Sequence, residues 1–141
     1  MSNGSMSADE RSAFLAGVHV GILAIDEPGR GPLALPVWYQ WVDSVVEVHM
    51  DGSSLKARLL RAAGRATFTV QNEVAPYQYV SVEGPVSIEP ATGSNLALPT
   101  RYLGAELGQW YADNNPSTED SVVARIVPEH WRTFDYGKAM A

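Results

Sequence analysis

The chain contains no cysteine, which excludes a disulfide scaffold, a zinc–thiolate centre and a Cys nucleophile. Positive charge is scarce as well: 10 Lys+Arg stand against 16 Asp+Glu, for a formal net charge of −6. That balance argues against general nucleic-acid binding, which depends on neutralising phosphates. No apolar run approaches the roughly 20 residues a membrane-crossing helix needs, and no membrane partner is expected. The opening Met1-Ser-Asn-Gly-Ser-Met6 lacks the basic and apolar regions of a secretory signal. The three histidines, at positions 19, 49 and 130, are too far apart for a close-spaced metal motif, and no metal site is expected. A Gly-x-Ser-x-Gly nucleophile elbow is absent. Gly29-x-Gly31-x-x-Ala34 precedes a strand rather than opening a helix and contains Pro32, so it is no dinucleotide fingerprint. The carboxylate pairs Asp26-Glu27 and Glu119-Asp120 fall in turns and read as solvated.

What the chain does have is enough apolar residue, 45% of 141, to fill one core. The expectation is a soluble, cytoplasmic protein with a disordered segment over residues 1–9 and a single domain over 10–141. Its basic residues cluster. Lys56, Arg58, Arg61 and Arg65 fall within ten residues, and no acid occurs between Asp51 and Glu73. Such a cluster is either a solvated helix face or a local positive field suited to a small anion.

Periodicity divides the chain into short strands and two main helices. A short helix is expected from Glu10 to Val18, then an apolar strand from Val20 to Ile25. The turn formers of Asp26–Pro32 read as a hairpin connection to a strand from Leu33 to Val42, with Pro36 marking an edge or bulge. Val46, Val48 and Met50 share one face of a third strand. Ser53 or Ser54 caps a helix that Gly64 stops. Ala66, Phe68 and Val70 alternate inward in the next strand, and Tyr77 to Ile88 alternates again. Leu103, Leu107, Trp110 and Tyr111 mark one face of a helix over Leu96–Ala112, and Val122, Ala124 and Ile126 a last strand ending near Pro128. About six strands joined by short turns favour an antiparallel, mainly β architecture closed into a small barrel with peripheral helices.

One constellation fits a chemistry. Ser53, Ser54 and Lys56 stand where a strand ends and a helix begins, so exposed N–H groups, hydroxyls and an ammonium converge there. Helix N-termini hold phosphate because unpaired N–H donors and the helix dipole both favour an anion. Arg58 or Arg61 is placed to assist. Trp38, Tyr39 and Trp41 on one strand and Tyr77 and Tyr79 on another suit a planar cofactor with a phosphate tail, or equally core packing or a dimer interface.

These residues resemble a family. Gly52-Ser-Ser-Leu-Lys-Ala57 after the third strand, and Tyr79-Val-Ser-Val-Glu-Gly-Pro-Val86, are similar to motifs of the pyridoxamine 5'-phosphate oxidase-like split β-barrel proteins. Leu35-Pro-Val-Trp38 resembles its flavin/deazaflavin oxidoreductase branch. The resemblance, spanning roughly residues 11 to 138, implies a homodimer with cofactor at the interface and a small-molecule substrate. The cofactor implied is flavin mononucleotide (FMN) or the deazaflavin coenzyme F-420.

The same resemblance places phosphate on Ser54 and Lys56 and the ring along Leu35, Pro36, Val37 and Trp38. His49 and Met50 fall where the family supplies a Tyr-Thr pair, Leu33 where its oxidases have Arg, and Tyr79 where they have Gln. These departures argue against vitamin B6 oxidation and leave the phosphate anchor in place. No acid or base is nominated, because hydride chemistry belongs to the cofactor. The alternative is a non-catalytic carrier of haem or another tetrapyrrole on the same barrel, with His49 as its natural contact. A third outcome is a barrel that has lost its ligand.

Overall fold

In the computed structural model, which describes residues 3–93 and 95–141, short strands follow one another with few helices between. Helix α1 (Ala8–Ala16) leads into strands β1 (Gly21–Ile25), β2 (Leu33–Val37), β3 (Gln40–Val42) and β4 (Val45–Asp51). Helix α2 (Leu55–Ala63), β5 (Arg65–Gln71), β6 (Gln78–Pro90) and α3 (Ala97–Asn114) follow, then β7 (Ser121–Ile126), β8 (His130–Asp135) and α4 (Tyr136–Ala139).

All pairings are antiparallel, in the order β2-β1-β5-β6-β7-β4-β3, with β8 also on β6. The two ends of this order, β2 and β3, are separated in the chain by Trp38 and Tyr39 alone. A flat sheet would hold those edges about 29 Å apart, whereas the linking residues reach only about 11 Å. The sheet must therefore curl until its edges meet. The long strand β6 is the seam: its first half carries β5 and β8, and its second half carries β7.

The core lies inside the curl. Leu23, Ile25, Val46, Val48, Phe68, Val70, Val80, Val82 and Ile126 are buried, with Leu15 of α1 and Leu60 of α2 closing it. Alternation built it, because every second residue of a strand faces the same side. Gly84 lies where β6 passes under the β7–β8 corner. A Cβ there would come within 1.7 Å of the Val127 carbonyl oxygen.

Among the described residues the strand count is eight rather than six, for two reasons. The single strand expected over Leu33–Val42 breaks at Trp38-Tyr39, where the chain crosses between sheet edges and buries Tyr39 completely. The run after Pro128 forms β8, whose weak alternation hid it; it pairs with β6 beyond the end of β7. The segment expected to be disordered is docked from Gly4 onward. Asp135 N–H donates to the Gly4 carbonyl (2.7 Å), Met6 N–H donates to Thr133 Oγ1 (2.9 Å), and the Met6 side chain is buried. Met1 and Ser2 lie outside the described residues. Helix α1 starts two residues earlier than expected because Ser7 and Glu10 form a reciprocal capping box. Lys138 Nζ donates to the same Glu10 carboxylate at 2.7 Å, and with the Ser7 bonds this pulls its pKa down to about 2.

Helix α3 also differs. Gly104 (φ 85°) interrupts it, and Pro99, Gly108 and Ala112 are its buried residues. Leu107 and Trp110, expected on one apolar face with Leu103 and Tyr111, are exposed. The break at Gly104 restarts the helical phase, so spacings measured across it do not describe one face.

Candidate functional site

Where the chain leaves β2 for β3, a cleft of about 930 Å³ opens. Its lining draws Pro36, Val37 and Trp38 from this sheet edge, Glu47, His49, Met50 and Asp51 from β4, and Ser54 and Lys56 from the start of α2. Leu98, Pro99 and Tyr111 of α3 and the stretch 115–118 complete it. Seven residues nominated from the sequence thus meet in one cleft: Pro36, Val37, Trp38, His49, Met50, Ser54 and Lys56.

Trp38 is held in place by α3. Its ring stacks on Tyr102 (centroids 4.9 Å apart, planes at 6°) and tilts against Tyr111 at 5.0 Å. The Tyr102 hydroxyl accepts from Tyr39 N–H (3.0 Å) and has carbonyls of His19 at 2.6 Å and Tyr39 at 3.1 Å. With a single proton to donate, it serves the nearer His19 carbonyl best. Burial raises the Tyr102 pKa, keeping the phenol protonated in this role. Tyr39 is likewise raised by burial, and its hydroxyl donates to the Leu15 carbonyl at 2.8 Å. The edge that forms one side of the cleft is therefore clamped between α1 and α3.

The start of α2 is the cationic end. Ser54 is its N-cap: the hydroxyl accepts from Ala57 N–H (3.2 Å) and donates its proton to the Asp51 carbonyl (2.6 Å). That proton is committed, so Ser54 shapes the helix end rather than offering a free donor. Lys56 lines the cleft, and its ammonium has no partner among the described residues. The N–H groups of Leu55 and Lys56 are likewise unpaired, as the first N–H groups of a helix are unless capped. On β4, Glu47 pairs with Arg125 of β7 at 3.4 Å, while His49 is exposed in the cleft two residues on.

The other nominated residues lie outside the lining. Leu35 is in register with the buried Leu23 and shares its core-facing side. Tyr79 stands on the outer side of β6, between Gln71 and Phe134. Arg61 reaches back to donate to the Gly52 carbonyl (2.6 Å), bracing the turn ahead of α2. Ser53 gives both its N–H (3.2 Å) and its hydroxyl (2.8 Å) to Asp120 Oδ2. Asp120 is exposed, as expected of a turn carboxylate, and is also engaged by Ser53. Tyr111 belongs to the helix expected to tune specificity; sequence reasoning missed Asn95 and the 115–118 wall, since nothing local marks residues that meet β4 only in space. Among the described residues, no group of three or more His, Asp or Glu could hold a metal ion, and no helix is long and apolar enough to cross a membrane.

No protein-family model and no curated protein matches the sequence. Solved structures do match. A conserved hypothetical protein of Mycobacterium tuberculosis superposes with a TM-score of 0.79 at 23% identity, covering 100% of this chain and 92% of its own. The chain has the split-barrel fold. An F420 reductase shares the split barrel at a TM-score of 0.62 and 24% identity, over 86% of this chain and 94% of that one. An FAD- and haem-binding protein of Mycobacterium smegmatis shares it at 0.67 and 14%, over 94% and 73%.

Proposed function

We propose that this split barrel belongs to the pyridoxamine 5'-phosphate oxidase-like family, in its flavin/deazaflavin branch, and acts as an oxidoreductase on a small molecule. FMN or coenzyme F-420 would place its phosphate at Lys56 and the open N–H groups of Leu55 and Lys56, and its ring along Pro36, Val37 and Trp38. The observation that carries this reading is the meeting of the sheet edge, His49, Met50 and Lys56 in one cleft large enough for such a group. Bound there, the cofactor supplies hydride transfer, and the chain supplies position and electrostatics.

The reading includes a homodimer. The outer side of β2, β1, β5 and β6 presents the uncharged row Pro36, Ile22, Thr69 and Ser81, and beside it Ala34, Ala24 and Thr67, a row that Glu83 of β6 ends. Val20 and Pro36 belong both to this side of the molecule and to the cleft rim, so a second copy packed there would close the cleft. A dimer mass by light scattering is expected.

The test is a fluorescence titration of the purified protein with FMN and with F-420. Micromolar or tighter binding of one is expected, weakened at least about tenfold in Lys56→Glu by reversal of the anchoring charge. Unchanged affinity in that variant removes the anchor. Oxygen consumption by the reduced protein separates FMN, which reacts with oxygen, from the two-electron deazaflavin. A second reading, a haem or tetrapyrrole carrier, draws on the exposed His49 in the cleft and on the haem-binding split barrel. A Soret band lost in His49→Ala, without flavin affinity, would favour it.

A further inference from the structure

The turn before α2 already holds an anion of its own. Gly52 N–H donates to the Asp120 backbone carbonyl at 2.7 Å, and Ser53 gives N–H and hydroxyl to its carboxylate at 3.2 and 2.8 Å. The space is tight, since a Cβ on Gly52 would sit 2.8 Å from that carbonyl. Of the donors clustered ahead of α2, those of Gly52 and Ser53 are taken by Asp120. Those of Ser54 and Ala57 are taken within the turn by Asp51 and Ser54. Only Leu55 N–H, Lys56 N–H and the Lys56 ammonium stay open. We propose that Asp120 is a specificity-determining residue: its carboxylate, bound to Ser53, withholds two donors from an incoming phosphate and opposes it by charge.

The inference rests on the reading that a phosphorylated cofactor binds at Lys56. Its consequence is distinct from that reading. Asp120 sits at the end of the stretch that also lines the cleft through Asn115, Ser117 and Thr118, so it joins the cleft wall to the anion end by three hydrogen bonds. Neutralising it while keeping an acceptor for Ser53 leaves that connection in place and removes only the charge. Asp120→Asn does this, because the amide oxygen can accept both Ser53 bonds. Repulsion between two neighbouring like charges in a partly solvated site, on the order of 1 kcal/mol, converts to a roughly three- to tenfold change in affinity.

The experiment compares wild type, Asp120→Asn and Lys56→Glu by titration with FMN and with riboflavin, which carries the same ring and no phosphate. Where F-420 is the tighter ligand, F-420 and its phosphate-free deazaflavin chromophore take their places. The expected result is FMN affinity roughly three- to tenfold higher in Asp120→Asn with riboflavin affinity within about twofold of wild type. A merely structural role would move both ligands together, and that outcome overturns the proposal. So does an unchanged or reduced FMN-to-riboflavin ratio in Asp120→Asn while Lys56→Glu weakens FMN, and in that case the phosphate anchor stands. Failure of both wild type and Asp120→Asn to bind any of these ligands overturns the anchor and the inference together. Asp120→Ser is the second neutral variant should the asparagine form not fold, and the same ratio decides.

Discussion

Replacing Tyr102 by Phe removes one oxygen and leaves the ring that stacks on Trp38. The oxygen accepts from Tyr39 N–H at 3.0 Å and sits 2.6 Å from the His19 carbonyl. Losing a neutral hydrogen bond costs about 1 kcal/mol, and leaving the Tyr39 amide without a partner adds about 1–3 kcal/mol. Tyr102 is half-buried, so the lower part of that range applies, and the expected loss is about 2–3 kcal/mol. At roughly 3 °C per kcal/mol for a chain of this size, the melting temperature should fall by about 6–9 °C. Urea unfolding should show the midpoint falling at unchanged slope, which marks a change in stability rather than in the denatured ensemble. Tryptophan emission, to which Trp38 contributes, should keep its native position in the folded variant, because the stack is retained. A loss below about 0.5 kcal/mol would refute the reasoning, since it would mean that water replaces the hydroxyl and that α3 is not clamped to the sheet edge through Tyr102.

Two further outcomes follow from packing and from protonation. Gly84→Ala drives a Cβ to 1.7 Å from the Val127 carbonyl oxygen and should cost about 3 kcal/mol or more. Gly64→Ala, at φ 70° with open space around it, should cost only about 1 kcal/mol; paired denaturant melts compare the two. Burial, opposed by the Phe14 carbonyl and aided by Arg101, lowers the His19 pKa below its ordinary value. The folded state then binds this proton more weakly than the unfolded chain, so the contribution to stability is present above about pH 6.5 and is lost as pH falls through the folded pKa. The difference in melting temperature between wild type and His19→Gln, measured from about pH 7.5 to 5.5, should change in that direction. A difference constant with pH would remove His19 as the cause.

Local chemistry was legible wherever one segment carried its own signal. The inward faces of β4 and β5 followed from alternation at Val46, Val48 and Met50 and at Ala66, Phe68 and Val70, all of them buried. Ser54 and Gly64 bound α2 because a side-chain acceptor and a left-handed glycine act within one turn. Ser7-x-x-Glu10 carried the start of α1 in the same way, although its capping box went unread. Lys56 at the cleft and the cation-rich α2 were equally local.

What depended on distance in the chain was decided by the closed sheet. Trp38 and Tyr39 read as strand until β2 and β3 had to lie at opposite edges of a curled sheet, which only pairing across the whole chain imposes. Tyr79 and Trp38 are both aromatic strand residues, yet one faces outward and the other lines the cleft, because β6 and the β2–β3 link take different places in the curl. Glu119 and Asp120 are exposed as read, and the bond from Ser53 to Asp120 went unseen because Ser53 is 67 residues away in sequence. Residue type and spacing set which elements form and which groups carry charge. Which groups meet, and so that Asp120 reaches the turn before α2, was set by loop closure and packing, whose partners no local pattern names.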